Sequence, residues 1–311
     1  MTSPLRLTAV IPTRNRPEDL ERAVASVYAQ SRLPEELLII DQSPDEASRT
    51  RVEALAARQG GPPALIYVLD AGIQGLVQAK EAAAARAGGD IVCFLEDDLV
   101  LDPGYFAALE RGFHVHPEML GCCGLVINVP PQPPGYAALF HLFHRGIYHD
   151  ARVGVHGRVH THPREGELPL LPSDSLSGGL SSWRREVFAQ VPFDVANGFF
   201  MLEDIDFSKR AQDEFGPRFF INPNARVDHR MSPLNREQLG ARQRRKLREV
   251  VVFYKKRAGR AGAFPQFAWL LLGLLLEAAV QSARARTAAS LGGYFAGIAD
   301  GVRWQLRGAA A

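Results

Sequence analysis

The chain has 311 residues, 46% of them apolar and 23% charged, a balance that fits one large or two ordinary globular domains and excludes a disordered, collagen-like or disulfide-stapled chain. The formal charge of +2 conceals an asymmetry: residues 1–225 hold 20 Lys or Arg against 29 Asp or Glu, whereas residues 226–311 hold 16 against 5, so −9 is followed by +11. An acidic body therefore precedes a basic tail, which directs attention to an anionic surface or to a merely solvated basic face.

The first hundred residues alternate. "LRLTAVI" (5–11), "LLII" (37–40), "LIYVL" (65–69) and "IVCFL" (91–95) are short apolar runs of the kind buried on both faces of a parallel sheet. Between the first two, Pro17 opens a helix with Glu18 and Asp19 in its first turn and Leu20, Ala23, Val24 and Val27 at helical spacing. A second helix is predicted from about Gly75 to Ala87, stopped by Gly88-Gly89. Strands alternating with helices predict a doubly wound α/β sheet, whose ligands sit beyond the carboxyl ends of its strands. Residues 128–172 are rich in Pro, Gly and His and read as an insertion or flap, with His141, His144, His149, His156, His160 and His162 at spacings that match no ordinary zinc site. "SGGLSSWRREVFAQV" reads as a Gly-rich turn entering a helix, and a domain boundary is predicted near residue 230. Cys93, Cys122 and Cys123 form no C-x-x-C pair and are expected to be buried thiols in a reducing compartment. No signal peptide is expected at the N-terminus.

Three groups of residues carry chemistry. Glu96, Asp97 and Asp98 close the fourth apolar run, and three adjacent carboxylates repel unless a cation or several donors offset them. Hard oxygen ligands on a short turn suit Mg²⁺ or Mn²⁺ held together with phosphate oxygens. Asp41 ends the second run, where an acceptor can meet a nucleobase or a ribose, although Asp before Ser-Pro also forms turns. Glu203, Asp204 and Asp206 fall at a predicted helix start, suited either to the helix dipole or to a general base.

In order, "AVIPTRNRPEDLERAVASVYAQ" with "LLIIDQS", "GDIVCFLEDDLVLDPGYF", "SGGLSSWRREVFAQV" and "EDIDFSKR" resemble the family 2 glycosyltransferases of GT-A fold over about residues 5–230. The resemblance implies an α/β, Rossmann-like, mainly parallel sheet flanked by helices as a catalytic domain over 1–230, followed by a basic, partly apolar helical region over 231–311. It implies an inverting transfer of a sugar from a nucleotide-diphosphate sugar to a glycan or lipid-linked hydroxyl acceptor, with Mn²⁺ or Mg²⁺ as cofactor. Pro12, Thr13 and Arg14 would line the nucleotide pocket, Asp41 would read the base, and Asp97 would face the ribose and metal. Asp98 would be the metal ligand of the D-x-D motif, with His229 of "VDHR" joining it, and Asp204 would be the catalytic carboxylate. Glu96 stands where Asp is usual, "DQSPD" replaces "DDGS", and Lys80 in "GLVQAKEAA" takes a basic place from which it would pair with a diphosphate. Gly179 would let the backbone approach the donor sugar or simply make a turn, Trp183 would cap the acceptor or pack, and Glu203 would orient the acceptor.

The tail contains "FAWLLLGLLLEAAV", a run of 14 residues from Phe267 to Val280 interrupted by Glu277, which is shorter than the roughly 20 needed to cross a bilayer. Flanking Arg and Lys with Trp269 and Trp304 predict peripheral contact with a membrane, against a helical cap or a dimer contact. The expected location is the cytoplasm, either free or peripheral on the cytoplasmic face of the inner membrane, and no nucleic-acid partner is expected. A nucleotidyltransferase or a dinucleotide oxidoreductase would need a Gly-rich loop after the first strand, and "VIPTRNRPEDL" offers none. A catalytically silent carbohydrate-binding or scaffolding protein of the same fold has no evident need for carboxylates at 98 and 204.

Overall fold

The structure is a computed structural model, which describes residues 4–129, 132–153, 167–196, 199–232 and 237–308. The four apolar runs form β1 (Leu7–Thr13), β2 (Glu36–Asp41), β3 (Ala64–Leu69) and β4 (Ile91–Phe94). They pair in parallel in the order β3-β2-β1-β4; β1, β2 and β4 are buried on both faces as expected, whereas the edge strand β3 has no buried residue. The helices between them are α1 (Pro17–Tyr28), α2 (Ala47–Gln59) and α3 (Leu76–Ala84). Next come β5 (Leu99–Leu101), α4 (Tyr105–Val115) and β6 (Gly121–Val126).

The second half of the sheet is mixed. β8 (Ser181–Arg184) inserts antiparallel between β4 and β6, β9 (Phe219–His229) runs parallel to β6, and β5 and β7 (Leu171–Pro172) pair antiparallel with β9. "SGGLSSWRREVFAQV" is thus a 3₁₀ turn at Gly178–Leu180, then β8, then the short helix α6 (Glu186–Gln190), rather than a turn leading directly into a helix. The three cysteines are buried and unbridged in this sheet, and burial pushes the Cys93 thiol up to about 12. The remaining helices are α5 (Tyr136–His144), α7 (Glu203–Phe215), α8 (Leu239–Arg257), α9 (Ala263–Ala285) and α10 (Ala289–Gly308).

The chain forms two compact units that do not divide simply at residue 230. The first comprises residues 1–133, 150–200 and 207–234 and holds the sheet; the second comprises 134–149, 201–206 and 235–311. The expected insertion is therefore shared: α5 belongs to the second unit, and β7 to the first. His156, His160 and His162 lie outside the described residues.

The second unit has its own core of Leu247, Val250, Val251, Phe267, Leu270, Leu274, Ala278 and Tyr294. Its closest helix contact is built on a glycine ladder. A Cβ at Gly293 would stand 2.3 Å from the Gly240 carbonyl oxygen, one at Gly297 2.3 Å from that of Arg244, and one at Gly301 2.6 Å from Val251 Cβ. Three glycines at four-residue spacing let α10 touch the backbone of α8, the small-xxx-small device of close helix pairs. The apolar helix α9 is 23 residues long, extending beyond the run counted in the sequence at both ends, so by length and composition it is sufficient to cross a membrane.

Candidate active site at the carboxyl ends of the strands

Every side chain of this site belongs to the first unit, and sheet register explains how residues far apart in sequence meet. Val10 pairs with Phe94 across β1 and β4, so continuing the register by three places Thr13 opposite Asp97. The Thr13 hydroxyl donates to Asp97 Oδ2 at 2.7 Å, and Arg16 reaches Asp97 Oδ1 at 2.8 Å and Asp98 at 3.9 Å. On the other side, Leu99 pairs with His229 across β5 and β9. That pairing carries His229 to Asp98, with Nε2 at 3.1 Å from Oδ1, and to Glu96 at 3.5 Å. Asn128 fixes the His229 backbone from both sides, its amide oxygen accepting the His229 N–H at 2.9 Å and its Nδ2 donating to the His229 carbonyl at 3.0 Å.

Glu96, Asp98 and His229 each offer a ligand atom within 4.8 Å of the others, the one cluster of its kind among the described residues. Two hard carboxylates with one imidazole fit a divalent cation of the Mn²⁺ or Mg²⁺ type. Electrostatics separate the three acids. Burial pushes the Glu96 carboxyl up against the pull of His229, and burial likewise pushes Asp97 up against Arg16 and Thr13. At Asp98 burial is overcome by hydrogen bonds from His229 and from the Ser232 amide at 2.8 Å, which hold it below the usual carboxylate range.

Asp41 pairs with Thr13 in register and is completely buried. Its Oδ1 accepts the amide and hydroxyl of Ser43, and its Oδ2 accepts the Tyr67 hydroxyl at 2.6 Å. Burial first, and then Asp41, push the Tyr67 phenol up, so its proton stays on the oxygen facing the carboxylate. Asn15, at φ 55°, turns its amide to Ser43 Oγ at 2.8 Å and ties the end of β1 to that of β2. Pro12 is half-buried on β1 opposite Ile40, and Arg14 is exposed just beyond the strand.

Several expectations change. The Lys80 ammonium is enclosed, 2% exposed, donating to the Gly178 carbonyl at 2.8 Å with the Phe94 ring 5.5 Å away. It supports the Gly178–Gly179 turn and does not stand open to a diphosphate. Trp183 is a core residue, packed edge-on against Phe207 and Phe219, so a role in capping an acceptor is withdrawn. At Gly179, a Cβ would stand 2.2 Å from Glu96 Cδ, and the Gly179 carbonyl accepts the Glu96 amide at 3.0 Å; the space belongs to Glu96. Asp97 is 5% exposed and commits its carboxylate to Thr13 and Arg16. Glu96 itself, treated in the sequence as a departure from the family pattern, joins the cation cluster. Arg16 and Tyr67 were also passed over.

Glu203 and Asp204 belong to the second unit and open α7 as the sequence predicts. Glu203 is buried, and Asp204 Oδ1 accepts the Ile205 amide at 2.8 Å. In the same unit Glu249 accepts the amides of Met201 and Leu202 at 2.8 and 3.1 Å, and Asp206 pairs with Lys256.

Residues 8–151 match the model of "Glycosyl transferase family 2". Among solved structures, the mannosyltransferase PcManGT from Pyrobaculum calidifontis, in complex with GDP-Man and Mn²⁺, is similar at 17% identity over 97% of this chain and 88% of that one, with a TM-score of 0.61. GalNAc-T7 with UDP, GalNAc and Mn²⁺ is similar at 20% identity over 86% and 54% of the two chains, with a TM-score of 0.59. Glucosyl-3-phosphoglycerate synthase from Mycobacterium tuberculosis, in complex with phosphoglyceric acid, follows at 18% identity over 83% and 82%, with a TM-score of 0.52. No curated protein matches the chain significantly. Residues 8–151 thus belong to the family 2 glycosyltransferases, and the fold is GT-A.

Proposed function

We propose that the whole chain acts as a family 2 glycosyltransferase, moving a hexosyl or deoxyhexosyl group from a nucleotide-diphosphate sugar to a hydroxyl of a glycan or lipid-linked acceptor, with inversion, in cell-envelope or polysaccharide biosynthesis. The observation that carries the reading is the convergence of Glu96, Asp98 and His229 at the carboxyl end of β4, beside the strand ends that carry Thr13 and Asp41. Glu96, Asp98 and His229 would hold a divalent cation, which when bound supplies charge neutralisation at a diphosphate leaving group. Thr13 and Arg16 hold Asp97 beside that position, and the Asp41–Tyr67 pair forms the wall at the ends of β2 and β3, where a base would lie. Asp204 would accept the proton from the acceptor hydroxyl as its oxygen attacks the anomeric carbon, and Glu203 would orient that acceptor. The support for both is the "EDIDFSKR" motif. The work would be done on the cytoplasmic side of a membrane, with peripheral contact through residues 231–311.

The test is to incubate the protein with Mn²⁺ and a panel of nucleotide sugars and to measure nucleoside diphosphate release. Release with one donor, abolished in Asp98→Ala and in Asp204→Asn, is the expected result. Unchanged turnover in both variants overturns the assignment.

A further inference from the structure

The second unit carries a continuous apolar face that its own core does not use. On α9 the residues facing the core are Phe267, Leu270, Leu274, Ala278 and Ser282. On the opposite side Leu272, Leu276 and Val280 repeat at four-residue spacing and are 44–50% exposed. One stripe of the helix is therefore buried and the other is equally apolar but uncovered. Helix α5 extends this face. It is rich in Leu and aromatic residues, none of its residues is buried, and Leu139 and Leu142 are 58% and 46% exposed. The two helices are joined firmly: Trp269 Nε1 donates to the Leu142 carbonyl at 2.8 Å, Phe143 stacks on the Trp269 ring at 5.1 Å, and a Cβ at Gly273 would stand 2.4 Å from Phe143 Cγ.

We infer that the α5–α9 face lies flat in the surface of an anionic lipid bilayer. Charge complementarity selects the occupant. Residues 235–311 hold 14 Lys or Arg against four Asp or Glu, and exposed arginines bracket the stripe, Arg260 before it and Arg284 and Arg286 after it, with Arg145 at the end of α5. An apolar stripe with an indole at its edge and guanidinium groups at its ends matches the layered chemistry of acyl chains below anionic headgroups. α9 is long enough to cross the bilayer, but its other side argues against crossing. Glu277 pairs with Lys246 of α8 at 2.7 Å, and α8 also carries Arg242, Arg244, Arg245 and Arg248. Insertion across the hydrocarbon would bury these charges, each costly at the bilayer centre, whereas lying in the surface plane buries only the stripe.

The inference deepens the peripheral contact proposed above and does not depend on the transfer reaction. Its test is sedimentation of the full chain with vesicles of pure phosphatidylcholine and of phosphatidylcholine with phosphatidylglycerol, at low and high salt, alongside Leu272→Asp/Leu276→Asp, Leu139→Asp and Arg284→Glu/Arg286→Glu. Because the mutated leucines are exposed, circular dichroism and melting temperature should match the parent. Binding only to the anionic vesicles, weakened by salt, and reduced about tenfold or more in each variant is the expected result. Absence of binding to either vesicle overturns the membrane contact altogether. Undiminished binding by the folded leucine variants overturns this face while leaving a peripheral contact elsewhere in 231–311. A dimer in light scattering that Leu272→Asp/Leu276→Asp dissolves, without vesicle binding by the parent, assigns the face to a second copy and overturns the proposal.

Discussion

Gly179→Ala tests whether the cation cluster depends on a glycine about eighty residues away in sequence. Gly179 has no positive φ, so alanine is acceptable to the backbone, and the effect must come from contact alone. The new Cβ would lie 2.2 Å from Glu96 Cδ and Oε1 and 2.4 Å from its Cγ. Carbon atoms rest at about 3.5 Å or more, so the Glu96 side chain must retreat by roughly 1.3 Å. Its backbone cannot follow, because the Glu96 amide is bonded to the Gly179 carbonyl at 3.0 Å. The half-buried side chain therefore rotates, at a cost of about 0.5–1.5 kcal/mol, which corresponds to a fall of only a few degrees in melting temperature. The rotation takes the carboxylate away from His229 and Asp98. Displacing a ligand in this way is expected to weaken Mn²⁺ binding by about 10- to 100-fold, by analogy with the loss of supporting groups at metal sites. Calorimetric titration of Mn²⁺ into parent, Gly179→Ala, Glu96→Ala and the double variant measures the effect. In the Glu96→Ala background, Gly179→Ala should change affinity little, because its target is gone. Full additivity of the two losses, or unaltered affinity in a folded Gly179→Ala, refutes the reasoning.

Tyr67→Phe removes the donor to Asp41 Oδ2 from a completely buried carboxylate, and should cost about 1.5–3 kcal/mol in chemical denaturation; an unchanged midpoint would show that Asp41 does not rely on the phenol. Gly297→Ala forces a methyl onto the Arg244 carbonyl at 2.3 Å and should destabilise by about 1–3 kcal/mol, while Gly292→Ala on the same helix meets nothing within 4 Å and should stabilise by about 0.5–1 kcal/mol. Opposite signs in thermal melts are the check, and equal signs reject the packing argument. Burial holds the His144 imidazole below its usual range, against a hydrogen bond from Nδ1 to the Phe140 carbonyl at 2.9 Å, with Lys246, Glu277 and His141 facing it. Since the unfolded state then binds the proton more readily, the stability His144 contributes is present above about pH 6.5 and is lost as pH falls from there towards the folded value. His144→Gln should flatten that slope in melting temperature against pH.

The parallel half of the sheet was legible because strands buried on both faces are largely apolar, as β1, β2 and β4 are, and the part-buried edge strand β3 still carries a short run of apolar and β-branched residues. Helix α2 was not, since only Ser48, Val52 and Leu55 of its thirteen residues are buried, too few to mark a period. Strand β8 was hidden for a different reason: Ser181 and Ser182 are poor strand formers, placed there by pairing with Cys93 on one side and Cys122 and Cys123 on the other. In the site, local sequence announced the acids but not their partition. Glu96 looked like a departure from the usual Asp because the glycine that makes room for it lies in another motif. Tyr67 looked like an ordinary apolar strand residue until the β2–β3 register brought its hydroxyl to Asp41. The ladder Gly293, Gly297, Gly301 was visible as a four-residue spacing and could have been read as a helix contact.

The geometry at His229 also fixes how cation binding must couple to protons. In the structure Nε2 lies 3.1 Å from Asp98 Oδ1 and 3.5 Å from Glu96, so this nitrogen carries the hydrogen that bonds the carboxylate. The same nitrogen is the one that points into the cluster, and a ligand nitrogen must present its lone pair instead. A cation therefore needs that hydrogen to leave Nε2: a neutral imidazole moves it to Nδ1 with no net release and an imidazolium gives it up, while Glu96, which burial pushes towards its protonated form, adds its own proton. Loading should release protons, and affinity should rise with pH. Calorimetry of Mn²⁺ binding in two buffers of different ionisation enthalpy reads the number released. In His229→Gln any release from an imidazolium should vanish, while the carboxylate share remains. Buffer-independent heats in the parent would mean that the cation displaces neither an imidazolium proton at His229 nor a proton on Glu96, and would refute the coupling.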